Sequence, residues 1–253
     1  MLLGILGLLL FWDLQLKFLN SVSTRLARNH LDRVVANMAR QLLALVKVYG
    51  GLTVDLDRRL LRDLPSPTLV CANHQSVADI AVLMAALSNH RLRFVAKKEL
   101  SHGFPAVSEV LRIQRHALIA RDGAFRHVTR ELRRLGKESA DMVSPVVFPE
   151  GTRSRDGVVR RFHAGGVRTI LQETSIPITA VAIDGGYQFV SMKDLLSGLG
   201  RFTYRAKLVG VFSHQGDKKS ILEAVAGAEK AIAAQLSKWH AGSADRRAEV
   251  ECA

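Results

Sequence analysis

From about residue 65 the chain alternates short apolar runs with helically spaced ones, and this alternation restricts its fold more than any other feature. Residues 68–72, 92–96, 117–120, 146–148, 176–183 and 203–212 have the length and composition of strands. Between them, 77–87, 123–135, 165–173 and 220–239 have helical spacing. In the second of these helices Ala124, Phe125, Val128, Leu132 and Leu135 share a face, and Arg126, Arg130, Arg133, Arg134 and Lys137 fill the other. Parallel strands need crossover connections, which helices supply. The alternation therefore predicts an α/β fold, a mostly parallel sheet covered by helices. Residues 50–67 read as a connection leading into it.

The chain ahead of this pattern is of another kind. Residues 1–12 are an unbroken apolar run, ended by Asp13. As a helix that run is roughly 18 Å long, against about 30 Å of bilayer hydrocarbon. No Lys or Arg precedes it and no small-residue cleavage site follows, which argues against a secretory signal. It reads as a segment dipping into one leaflet, with Lys17, Arg25 and Arg28 at the headgroups; the plainer alternative is a buried helix. Residues 21–48 follow as an amphipathic helix carrying Leu31, Val34, Val35, Met38, Leu42, Leu45 and Val46, with Arg25, Arg28, Arg33 and Arg40 interspersed. The expected organisation is a membrane-associating helical region over 1–48 and an α/β domain over 49–253.

Charge narrows the class of partner. With 36 Lys and Arg against 23 Asp and Glu, the net charge is +13, which favours nucleic acid or an anionic membrane. Aromatic residues are only 6% of the chain, the basic residues do not gather in one tail, and no nucleic-acid-binding motif is present. An anionic membrane is the better match. Cys71 and Cys252 are too few for a disulfide framework, so a reducing compartment is expected, on the cytoplasmic face. The histidines are scattered, neither cysteine has a ligand-spaced partner, and no metal is expected.

Two segments carry chemistry. Asn73, His74, Gln75, Ser76, Val77, Ala78 and Asp79 leave the end of the 68–72 strand. In one continuous helix His74 and Asp79 would point about 140° apart, but a strand-end histidine escapes that constraint. Ser76 is a natural N-cap with Asp79 three residues on, a spacing that turns the carboxylate back toward the helix start. Asp79 then either orients the His74 ring or merely caps the helix. The second segment, Phe148, Pro149, Glu150, Gly151, Thr152, Arg153, Ser154 and Arg155, leaves another strand end. Pro and Gly there give a tight turn, Thr152 and Ser154 supply hydroxyls, and Arg153 has a guanidinium fork suited to phosphate. Glu150 is unusual in an anion site and suits an arginine or a substrate hydroxyl.

Together these segments resemble the glycerophospholipid acyltransferase family, most closely the 1-acyl-sn-glycerol-3-phosphate acyltransferases. The family's Asn-His-x4-Asp motif stands as Asn73, His74 and Asp79. Its Phe-Pro-Glu-Gly-Thr-Arg-Ser motif begins at Phe148, 69 residues after Asp79. Lys97, Lys98, Glu99 and Leu100 followed by Phe104 and Pro105, then Ala117 to Arg121, then Ile176 to Val181, resemble its weaker motifs in the expected order. Three positions depart from the pattern: Arg115 and His116 where a glycine is usual, His163 where lysine is frequent, and Ala180 in place of a second proline.

The resemblance implies transfer of an acyl group from a thioester, acyl-CoA or acyl-carrier protein, to the sn-2 hydroxyl of a lysophospholipid at an anionic membrane, without cofactor. It implies His74 as general base oriented by Asp79, and Arg121, Glu150, Gly151, Thr152 and Arg153 around the acceptor and its phosphate. The alternatives are related enzymes acylating glycerol-3-phosphate, dihydroxyacetone phosphate or another lysolipid such as lyso-ornithine lipid. A non-enzymatic basic membrane- or nucleic-acid-binding protein stands further off. Lys97 and Lys98 contact donor phosphates or lie solvated, and the arginine face of residues 123–137 is solvated or docks acidic carrier protein or anionic lipid.

Overall fold

The computed structural model describes residues 2–57, 59, 62–120, 125–188 and 202–251, with the side chains of 243–251 left aside. Seven strands form one sheet: β1 (Leu52–Leu56), β2 (Leu69–Ala72), β3 (Arg91–Lys97), β4 (Ala117–Ile119), β5 (Val143–Val147), β6 (Ile178–Asp184) and β7 (Phe202–Phe212). Their spatial order is β1-β7-β6-β2-β5-β3-β4. Every neighbouring pair is parallel except β6 and β7. The helices are α1 (Leu2–Val22), α2 (Thr24–Gly50), α3 (Ala78–Ala86), α4 (Val107–Ile113), α5 (Phe125–Lys137), α6 (Ala164–Leu171) and α7 (Lys218–Glu251). The expected α/β architecture is the observed one.

Strand alternation sends the two sets of side chains to opposite faces of the sheet. Leu69, Cys71, Ile178, Ala180 and Ala182 pack with Leu132 and Leu135 of α5, Val167 and Ile170 of α6, and Ile221, Val225, Ile232 and Leu236 of α7. Val70, Ala72, Val181, Ile183, Tyr204 and Ala206 pack on the other face with Val82, Leu83 and Ala86 of α3 and with Leu43 and Val46 of α2. Both faces of the central strands are covered, which is why they read as continuous apolar runs.

Within the α/β domain, three differences from expectation stand out. β1 lies within the stretch read as a connection; its alternation of Leu52, Val54 and Leu56 with Thr53 and Asp55 is that of an edge strand paired on one side only. β5 begins at Val143, earlier than expected, and carries Pro145 inside the sheet. α4, at seven residues, is too short to show a helical period, yet Val110, Leu111 and Ile113 are buried.

The largest difference is at the N-terminus. α1 does not end at Trp12 but runs on to Val22, 21 residues in all, long and apolar enough by length and composition alone to cross a membrane. Asp13 does not interrupt it because its carboxylate is buried in protein: one oxygen accepts the Ala106 N–H at 2.9 Å and the other meets Lys17 Nζ at 2.7 Å. Leu16, Ala27, Leu31, Val110 and Ile113 join α1, α2 and α4 in a separate apolar cluster. The opposite side of α1 exposes Leu3, Phe11, Leu14, Phe18 and Val22.

A polar cluster ties α2 to the sheet. Asp32 accepts from Arg93 at 2.8 Å, from Gln114 at 2.8 Å and from Arg91 at 3.2 Å, and Arg93 is only 2% exposed. Beside it His116 is buried; its Nδ1 accepts the Phe94 N–H at 2.8 Å, which leaves the proton on Nε2 facing Gln114 Oε1 at 3.2 Å. Burial, and then the charges of Arg93 and Arg134, push His116 down to about 3. In the unfolded chain it takes its proton near 6.5. Above that pH neither state is protonated and nothing is lost; below it the unfolded chain gains a proton the native state refuses. Acidification from pH 7 to 5 therefore removes about 2 kcal/mol of stability through this one residue. Denaturant titrations at the two pH values should show that loss, and His116→Asn, which keeps an acceptor for Phe94, should lose correspondingly less.

Candidate active site

The carboxyl ends of β2, β5 and β6 meet at one edge of the sheet, the edge at which open α/β sheets bind ligands. Asn73 extends β2 toward β6 with its side chain: its Nδ2 donates to the Ile183 carbonyl and its Oδ1 accepts the Ile183 N–H, each at 2.8 Å. This amide clamp holds the chain extended and delivers His74 at the strand end.

From there the chain turns into α3. Ser76 Oγ accepts the Ala78 N–H at 3.3 Å, and Asp79 Oδ2 reaches back to the N–H groups of Ser76 at 3.0 Å and Gln75 at 2.7 Å. The same oxygen lies 2.7 Å from His74 Nδ1. Capping and orientation, alternatives in the sequence, are thus performed together by one carboxylate. Asp79 is wholly buried, and its other oxygen accepts the hydroxyl of Tyr204 on β7. Surrounded by donors, the carboxylate acts only as an acceptor, so the imidazole proton lies on Nδ1 and Nε2 holds its lone pair. The ring stacks on Phe148, with centroids 4.1 Å apart and planes 15° from parallel, and keeps a partly exposed edge.

The second motif grips the first by its main chain. Glu150 Oε1 accepts the His74 N–H at 2.7 Å, and the Ser154 N–H donates to the His74 carbonyl at 2.7 Å. Glu150 Oε2 accepts the Arg160 N–H at 2.8 Å. Expected beside a substrate, Glu150 is instead 4% exposed with both oxygens engaged by main-chain donors, and it joins the two motif segments. Burial pushes its carboxyl above the ordinary carboxylate range, an effect partly offset by those two N–H groups.

Gly151 has φ +69°, the left-handed conformation glycine takes freely, and its N–H is spent on the Phe148 carbonyl at 3.1 Å. Gly151, Thr152 and Arg153 form the exposed outer part of the turn, directly before the Ser154 that bonds to His74. Arg121 lies outside the described residues. Lys97 and Lys98 stand exposed at the carboxyl end of β3. The arginine face of α5 lines a groove of about 580 Å³ that contains no residue of either motif, and there Arg133 and Lys137 are partly neutralised by Glu173.

A family model described as Acyltransferase matches residues 56–184, just over half of the chain and all of both motif segments. The chain belongs to the acyltransferase family. The crystal structure of the 1-acyl-sn-glycerophosphate (LPA) acyltransferase PlsC from Thermotoga maritima superposes on the acyltransferase with a TM-score of 0.59 at 21% identity. The match covers 92% of this chain and 96% of that one. No curated protein matches the sequence.

Two functional candidates escaped sequence reasoning. Tyr204 lies 125 residues from Asp79 and looks like any inward residue of an apolar strand. Gly186, just after β6, approaches so closely that a Cβ there would lie 3.1 Å from Asp79 Oδ1. No local pattern marks either one.

Proposed function

We propose that this acyltransferase moves a fatty acyl group from acyl-CoA or acyl-carrier protein to the sn-2 hydroxyl of 1-acylglycerol-3-phosphate, giving phosphatidic acid. The observation carrying this reading is the 2.7 Å contact between His74 Nδ1 and Asp79, which leaves Nε2 as a base beside an arginine-bearing turn. Nε2 removes the proton of the acceptor hydroxyl as that oxygen attacks the thioester carbonyl. The tetrahedral intermediate collapses with loss of the thiolate, which takes the proton back from the imidazolium. The acceptor is itself the nucleophile, so no acyl-enzyme forms and the gain comes from bringing two substrates together over one base.

Arg153 and Thr152 hold the acceptor phosphate, joined by Arg121 from the segment before α5. Since the Gly151 N–H is already engaged, the developing oxyanion falls to another donor of the same turn. Residues 1–48 rest on an anionic membrane at its cytoplasmic face: α1 presents Leu3, Phe11, Leu14, Phe18 and Val22 to the acyl region while the net charge of +13 favours the headgroups.

The test is an acceptor panel assayed with both donor types. Lysophosphatidic acid should be acylated fastest, ahead of glycerol-3-phosphate and of lysolipids without a phosphomonoester. Arg153→Ala should raise KM for lysophosphatidic acid about tenfold or more and leave a neutral lysolipid within about twofold, consistent with a charge-assisted pair of roughly 1.5–3 kcal/mol. Equal losses on both acceptors would remove Arg153 from the phosphate.

A further inference from the structure

We propose that Tyr204 is a positioning residue for the base, the third member of a His74–Asp79–Tyr204 chain; the proposal rests on the acyl-transfer reading above. The Tyr204 side chain is fully buried, and its ring is part of the core between the sheet and α3. Its hydroxyl donates to Asp79 Oδ1. Asp79 Oδ2 takes three donors, the His74 ring and the N–H groups of Gln75 and Ser76. All three come from the short turn that contains Asp79, and they hold one oxygen only. The donor on the other oxygen arrives from across the sheet and fixes the rotation of the carboxylate about its Cβ–Cγ bond, so that Oδ2 stays aimed at His74 Nδ1.

The topology supports this use of the residue. β7 is the strand that runs antiparallel to β6, and Tyr204 stands one residue beyond the last β6–β7 pair, Asp184 with Arg205, beside Val54 of β1. The hydroxyl therefore emerges at the carboxyl end of β6, where Gly186 leaves room at Asp79 Oδ1. The reversed direction of β7 brings a buried donor to the same sheet edge as the base. Asp79 from α3, Glu150 from the turn after β5 and Tyr204 from β7 are the titratable groups hydrogen-bonded to His74 or to its partner Asp79 among the described residues.

Tyr204→Phe keeps the ring and removes the donor. Relative to wild type, kcat should fall about tenfold while KM for donor and acceptor stays within about twofold. In an Asp79→Asn background the same change should alter kcat less than about twofold, because the hydroxyl acts through that carboxylate. Losses that multiply, or a Tyr204→Phe enzyme with wild-type kcat, overturn the proposal. A readout free of turnover is the far-downfield proton resonance of His74 Nδ1. Loss of the Tyr204 donor frees the carboxylate to turn away from the ring and should move that resonance upfield or broaden it away. If the wild-type protein transfers no acyl group yet the resonance moves upfield or is lost in Tyr204→Phe, the acyl-transfer reading fails and the positioning stands. A resonance that is unchanged or moves further downfield in Tyr204→Phe overturns the positioning.

Discussion

His74→Ala is expected to lower kcat by about a thousandfold while the protein stays folded, because a positioned general base contributes roughly 10²–10⁴ to such a step. The expectation of an intact fold is specific to this site. What ties His74 to Glu150 and Ser154 is its main-chain N–H and carbonyl, and these survive truncation of the ring. The losses are the Nδ1 bond to Asp79 and the stack on Phe148, both at the end of a strand whose register is held independently by Asn73. Steady-state kinetics alongside a thermal melt will separate the two effects. A large fall in kcat with an unchanged melting profile is the expected result, and a proteolysis-sensitive chain would show the ring to be structural.

Asp79→Asn should cost nearly as much in turnover, about 10²–10³ in kcat, and should also reduce stability. An amide offers one oxygen where the carboxylate offers two. If that oxygen faces the Gln75 and Ser76 N–H groups and the His74 ring, its NH₂ meets the Tyr204 hydroxyl; if it faces Tyr204, its NH₂ is driven against three donors. Either way a buried donor loses its acceptor, at about 1–3 kcal/mol, and the imidazole loses either the acceptor that fixes its tautomer or, where the amide oxygen still faces it, the negative charge that supports the imidazolium. Denaturant midpoints and kcat should therefore fall together, in contrast to His74→Ala.

The two variants bear on different parts of what the sequence made legible. The His74–Asp79 contact was legible because it is local: Asp79 stands three residues after Ser76, a capping-box spacing, and five after His74. Glu150 was legible as important but not in its role, because its partners are main-chain N–H groups of His74 and Arg160, and backbone donors leave no signature in residue identity. Tyr204 was illegible because its partner is set by topology. Only the antiparallel placement of β7 beside β6 brings it to Asp79, and apolar alternation does not report strand direction.

The same division holds for the fold. The central strands were legible from their apolar runs, since burial on both faces leaves no room for polar residues. The extent of α1 was not, because whether Asp13 ends the helix depends on the distant Ala106 N–H that receives it. The placement of α2 was only partly legible: its apolar stripe is helical from sequence, but the buried Asp32–Arg93 contact that ties it to β3 joins residues 61 positions apart.

Net charge takes on a narrower meaning once the site is in view. Alone, +13 leaves nucleic acid and membrane as partners. With the exposed apolar face of α1 joined to an acyltransferase domain, the proposed function assigns that charge to gathering an anionic lipid acceptor and an anionic thioester donor.

Direct transfer by His74 is tested by a single-turnover experiment with purified enzyme, a thioester labelled in its acyl group, and 1-acylglycerol-3-phosphate in lipid vesicles. The label should pass to phosphatidic acid without accumulating on the protein, and His74→Ala should slow that passage about a thousandfold. Label that remains in the thioester, that gathers on the enzyme, or that moves equally fast without His74 would rule out direct general-base transfer by this residue.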